Sequence, residues 1–191
     1  MLIGKNIILR PLKMEDLEKT NKWRNDLELI KLTQGIRFPK TMEMDRDWFN
    51  QVLNDKSNRN IYFGIDEITT CEFVGIIQLN SINYISGTAI WGFIIGEKNK
   101  QGKGYSVEAP RLLFDYAFNI LNLRKISGYP ISFNKATMRM HQKIGNFKEE
   151  GILKKHVFFD GNYHDVFIMS IFKDDYETIK ATPNEILGTE Q

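Results

Sequence analysis

A single cysteine, Cys71, stands in the 191 residues, which excludes an internal disulfide framework and fits a reducing cytoplasm. Cys/His clusters at zinc-ligand spacing are lacking too, so no metal is expected. No apolar run approaches the roughly 20 residues that a membrane span requires. The N-terminal stretch MLIGKNIILRPLKMEDLEK meets charge at once and reads as neither a span nor a targeting segment. An excess of one charge is also missing. Lys and Arg total 26 against 24 for Asp and Glu, a balance that argues against a nucleic-acid-binding stripe. There is no internal repeat or low-complexity tract. The expectation is a cytoplasmic protein with no nucleic-acid or membrane partner. It has one domain over residues 1–173, with a polar tail over 174–191.

What is present is an alternation of strand and helix signals. Asn6 to Leu12 reads as a first strand, and helical patterning follows through Leu17 and Trp23. Thr41 is the expected N-cap of a second helix on which Met44, Trp48 and Val52 recur up to Asn54. Ile61 to Asp66, Phe73 to Ile82 and Thr88 to Gly96 read as an antiparallel meander. The loop GEKNKQGKG then leads into a long amphipathic helix carrying Leu112, Leu113, Tyr116, Ala117 and Ile120. Pro110 lies near its start and lacks an N–H for the Ser106 carbonyl, so the helix is expected to begin late, near Val107, or to bend. A strand over Lys125 to Ser132, a helix from Asn134 to Ile144, and strands over Phe147 to Val157 and Tyr163 to Phe172 complete the pattern. Asp160-Gly161-Asn162 is the hairpin turn between the last two.

The glycine-rich loop is neither of two familiar nucleotide motifs. Five residues separate Gly96 from Gly102-Lys103, one more than a P-loop allows, and Gly104 stands where its hydroxyl belongs. Val107 occupies the third-glycine position of a dinucleotide fingerprint. There remains a run from Gln101 to Ser106 whose backbone N–H groups precede a helix and can converge on a pyrophosphate. By itself it is first of all a Gly-rich turn.

The loop is not by itself, however. The runs TAIWGFIIGEKNKQGKGYSVEA, LLFDYAFNILNLRKI, NKATMRMHQKIGNFKEEG and FFDGNYHDVFIMSIF together resemble the GNAT superfamily, in its RimJ/RimL-like branch, which includes spermidine and amino-sugar N-acetyltransferases. The resemblance runs from Ile7 to Phe172. It implies an α+β GNAT fold, with a mixed, mostly antiparallel sheet of about seven strands, helices on both faces and a splayed central strand pair. It also implies transfer of an acetyl group from acetyl-CoA, without a metal, to a primary amine on a small molecule or peptide. A homodimer is left open.

By position, the resemblance puts the CoA pyrophosphate on Gln101, Gly102, Lys103, Gly104, Tyr105 and Ser106. It puts the pantetheine arm along Ile94, Ile95 and Gly96, with Asn134, Ala136, Met138 and Lys143 on or before the following helix. Two departures affect the chemistry. Ile90 and Trp91 occupy the positions of the glutamate that in the family activates the amine through water, which leaves no obvious general base. His141 stands where the family's tyrosine protonates the leaving thiolate. A histidine with a near-neutral pKa can serve as that acid, although a lone helical His is also commonly structural.

The acceptor is expected to be read by Leu32 to Lys40 and by the loop around Tyr84. Arg37, Phe38 and Lys40 suit an anionic amino sugar, such as a sugar nucleotide, better than spermidine, unless the two cations are simply solvated. The alternatives are a polyamine, a protein N-terminus, or an acetyl-CoA-binding module without efficient turnover.

Overall fold

The computed structural model describes residues 1–33 and 38–181. In chain order the elements are β1 (Leu2–Ile3), β2 (Ile7–Pro11), a 3-10 turn at Met14–Asp16, α1 (Leu17–Arg24), α2 (Leu27–Ile30), α3 (Met42–Leu53), β3 (Ile61–Glu67), β4 (Phe73–Asn83) and β5 (Thr88–Ile95). A 3-10 turn at Lys98–Lys100 follows, then α4 (Tyr105–Asn119), β6 (Lys125–Gly128), α5 (Lys135–Ile144), β7 (Lys148–Phe159), β8 (Asn162–Phe172) and α6 (Lys173–Ala181). The strands form one sheet of eight, in the order β1-β2-β3-β4-β5-β6-β8-β7. The strand beyond the expected seven is the two-residue β1, too short to carry any periodicity. Among the described residues no helix is long and apolar enough to cross a membrane.

Local chemistry explains most boundaries. The Thr41 side chain accepts from Met44 N and caps α3. Asp160 and Gly161 take positive φ values of 48° and 74°, the conformation a two-residue hairpin needs between β7 and β8. Two stretches differ from the plain pattern. Of the two alternatives for the long helix the late start does not hold: it begins at Tyr105, capped by Gly104, so Pro110 sits inside it and the Ser106 carbonyl loses its helical donor. The polar stretch after Phe172 is helix over Lys173–Ala181, and its Tyr176 is buried, donating to the Arg111 carbonyl.

The sheet is covered on both faces. Successive residues of β4 point to opposite sides. Ile77 joins the main core with Leu113, Phe114 and Phe118, while Ile76 joins a second cluster with Trp23, Leu29 and Phe73. Every neighbouring strand pair is antiparallel except β5 with β6. That pair is parallel and short: Thr88, Ala89 and Ile90 face Lys125, Ile126 and Ser127. Beyond Ile90 the two strands diverge, so the β6-facing edge of Trp91–Ile95 has no strand partner.

Candidate functional site

The loop after β5 is held by its ends. Gly102 and Gly104 have φ values of 79° and 87°, and a Cβ on either would meet nothing within 4 Å. These glycines therefore serve a left-handed backbone in an open place. Gln101 Nε2 donates to the Ile95 carbonyl at 3.0 Å and pins the loop to the end of β5. The amides of Tyr105 and Ser106 open a 15-residue helix and have no intrahelical acceptor, so they face outward with the positive end of its dipole. The outward amides and the dipole suit an anion; the nearby Lys98 and Lys100 are already paired with Asp26 and with Glu67 and Glu72.

Beside the divergence of β5 and β6 lies a cavity of about 520 Å³. Ile90, Gly92 and Ile94 of β5 line it opposite Asn80, Gln78 and Ile76 of β4. Trp23 and Arg24 of α1 and Trp48 of α3 cover one side, and Gly128, Tyr129 and Pro130 bound the other. A Cβ on Gly128 would stand 2.7 Å from Trp91 Nε1, so glycine lets the indole pack directly on the backbone there. Among the described residues no carboxylate lines this cavity, and Arg24 is its one permanent cation; it lies over the Trp48 ring at 4.4 Å and pairs with the fully buried Asp45 at 2.9 Å.

His141 reaches the cavity from α5, together with Thr137 and Met140. It is buried, stacked on Phe147 and tilted against Trp91. Burial lowers its pKa to about 4. Burial thus favours the neutral imidazole near pH 7, which bears directly on the acid role expected of His141.

The other expected residues fall in different places. Ile94 lines the cavity, and Ile95 is in the core. Gly96 lies under Trp23, where an added Cβ would come within 2.0 Å of the indole. Asn134 is occupied at both ends of its amide: Oδ1 accepts from Thr137 N, and Nδ2 donates to the Leu32 carbonyl. Ala136, Met138 and Lys143 do not line the cavity; the α5 face that does is Thr137, Met140 and His141. Tyr84 also lies away from it, donating to the Asn58 carbonyl, and Phe38 is 76% exposed. Arg37 and Gln34 are outside the described residues.

Sequence reasoning missed Arg24, Gln78, Asn80 and Tyr129, and read Trp23 and Trp48 only as helix periodicity. A signal for two of them existed. In the otherwise apolar β4 segment FVGIIQLNSI, Gln78 and Asn80 are polar at a spacing of two, which marks one face of a central strand as wet.

The profile of the Acetyltransferase (GNAT) domain family matches residues 6–146. The spermidine N(1)-acetyltransferase of Escherichia coli K12 is 29% identical over 182 residues, covering 95% of this chain and 94% of its own. The putative ribosomal N-acetyltransferase YdaF of Bacillus subtilis is 30% identical over 184 residues, covering 92% of this chain and 96% of its own. Among solved structures, the spermidine N-acetyltransferase of Vibrio cholerae in complex with CoA and spermine superposes with a TM-score of 0.83 at 26% identity, over 91% of this chain and 99% of the other.

Proposed function

The chain belongs to the GNAT acetyltransferase family and is an acetyl-CoA-dependent N-acetyltransferase, and from that premise we propose that its acceptor is a small primary amine bound in the cavity beside β5. The carrying observation is the wedge between β5 and β6, where the cavity is lined by Ile90–Ile94 of the strand that leads into the glycine loop. In this reading the amides of 102–106 hold the pyrophosphate, and the unpaired edge of Trp91–Ile95 holds the pantetheine arm. Acetyl-CoA supplies an acyl group already activated as a thioester.

The chain's residues then position and desolvate. The amine must lose its proton before it can attack, and among the described residues no carboxylate is at hand to take it. A mostly apolar cavity instead disfavours the ammonium form and lowers the amine's pKa by desolvation, the Arg24 charge being balanced by Asp45. As the C–N bond forms and the C–S bond breaks, the proton leaving nitrogen passes through water to sulfur. His141 stays neutral and serves as wall and hydrogen-bonding group.

The relatives support a polyamine acceptor better than an amino sugar, and of the residues expected to read an amino sugar the described ones, Phe38, Lys40 and Tyr84, do not line the cavity. Spermidine is therefore the first acceptor to test. One observation favours a second reading: a polycation calls for carboxylates, and the described residues of the cavity include three tryptophans, Trp23, Trp48 and Trp91, and no carboxylate. That lining suits an amine with one positive charge and an aromatic or aliphatic body. Competition between spermidine and phenethylamine at fixed acetyl-CoA separates the two, and failure to acetylate either discards both.

A further inference from the structure

We infer that Glu67, at the end of β3, is the positioning residue that holds the glycine loop in its anion-binding shape, an inference that rests on reading residues 101–106 as the pyrophosphate site. The loop turns on two left-handed glycines whose Cβ positions would meet open space, and Gln101 Nε2 ties it to the Ile95 carbonyl. Its flanks are fixed as well, and both converge on one carboxylate. Lys100, just before the loop, donates to Glu67 Oε2, and Tyr105, just after it, donates to Glu67 Oε1. Thr70 Oγ1 adds a third donor at 2.5 Å, and Lys103 Nζ stands 3.6 Å away.

This carboxylate is 4% exposed, as Lys100 and Tyr105 are 8% and 5%. A buried charge is tolerated when several donors reach it, and charge-assisted bonds are stronger than neutral ones. The hydrogen bonds from Lys100, Thr70 and Tyr105 lower the Glu67 pKa to about 2, and burial with the Glu67 bond raises that of Tyr105 to about 12. Glu67 does not face the bound anion directly. It ties down both stems of a segment that would otherwise lose much backbone freedom on binding, so that less order has to be imposed when the pyrophosphate arrives.

The test uses calorimetric affinity for acetyl-CoA and KM for S-acetyl-pantetheine, which keeps the thioester and lacks the pyrophosphate. Both are measured in wild type, Glu67→Gln, Tyr105→Phe and the double variant, with thermal unfolding alongside. Glu67→Gln is expected to bind acetyl-CoA about tenfold more weakly, while its KM for S-acetyl-pantetheine moves less than about twofold. Tyr105→Phe removes one hydroxyl, keeps the ring packed and is expected to lose about threefold; because both act through one carboxylate, the double variant is no weaker than Glu67→Gln. Where Glu67→Gln lowers Tm, Tyr105→Phe reads the same discrimination between donors in a folded chain. Unchanged or tighter acetyl-CoA binding overturns the inference, as does an equal loss for both donors, which marks a merely structural carboxylate. A wild type that does not distinguish the donors overturns the loop reading itself, and the role of Glu67 with it.

Discussion

The imidazole of His141 lies flat on the ring of Phe147, their centroids 4.2 Å apart and their planes within 10° of parallel. Phe147 also meets Phe114 and Trp91, so the histidine is one tile of an aromatic floor that joins α4, α5 and β5. A neutral ring suits that position, and a charged one does not.

Stability should therefore depend on pH through His141. Its folded pKa of about 4 is below the usual 6.5, so the unfolded chain binds the extra proton and stability falls as pH drops from 6.5 toward 4. The full shift corresponds to about 3 kcal/mol. Urea unfolding of wild type and His141→Phe at pH 7 and pH 4.5 checks this. Phe keeps the stack and cannot titrate, so its curve should lose most of the difference. By the same pKa, the pH–rate profile should show no His141 titration between pH 6 and 8.

Gly104→Val places a β-branched side chain at a φ of 87°. The strain is about 1–2 kcal/mol or more, and the loop escapes it by changing path. Since the new Cβ meets nothing, Tm should fall by only a few degrees, while acetyl-CoA affinity by calorimetry falls at least about tenfold.

Gly96→Ala should act through packing. Its Cβ would overlap the indole of Trp23, which is 3% exposed and has little room to retreat. Overpacking of this kind costs about 1–3 kcal/mol. Lower Tm, shifted tryptophan emission and a raised acceptor KM are expected together, because Trp23 also lines the cavity.

Asp45→Ala strands Arg24. Asp45 is fully buried, paired with Arg24 and hydrogen-bonded by Asn21 Nδ2 at 2.8 Å. Removing one partner of such a pair costs about 3–5 kcal/mol. Denaturant midpoints measure it, and Arg24→Met in the same background should restore part of the loss.

What could be read from the sequence was local. Thr41 and Asp160-Gly161-Asn162 act within four residues of themselves, so cap and turn were visible before any fold was known. The loop and the meander were legible for the same reason. The brace on Glu67 was not: its partners lie 33 and 38 residues away, and a charged residue closing a strand reads as solvated. His141 is a different case. Its helix was legible, but its burial depends on Trp91 and Phe147 closing over it, which no spacing rule contains. The polar run after Phe172 hid a helix because one buried ring, Tyr176, anchors it.

The three-residue seam between β5 and β6 divides the sheet into two leaves, β1–β5 and β6–β8 with β7, stitched at one end only. A ligand seated in the wedge would lend the free edge of Trp91–Ile95 the hydrogen bonds that β6 withholds. Amide hydrogen exchange along that edge should then slow on occupancy, whereas the seam residues Thr88–Ile90, already paired, should report nothing.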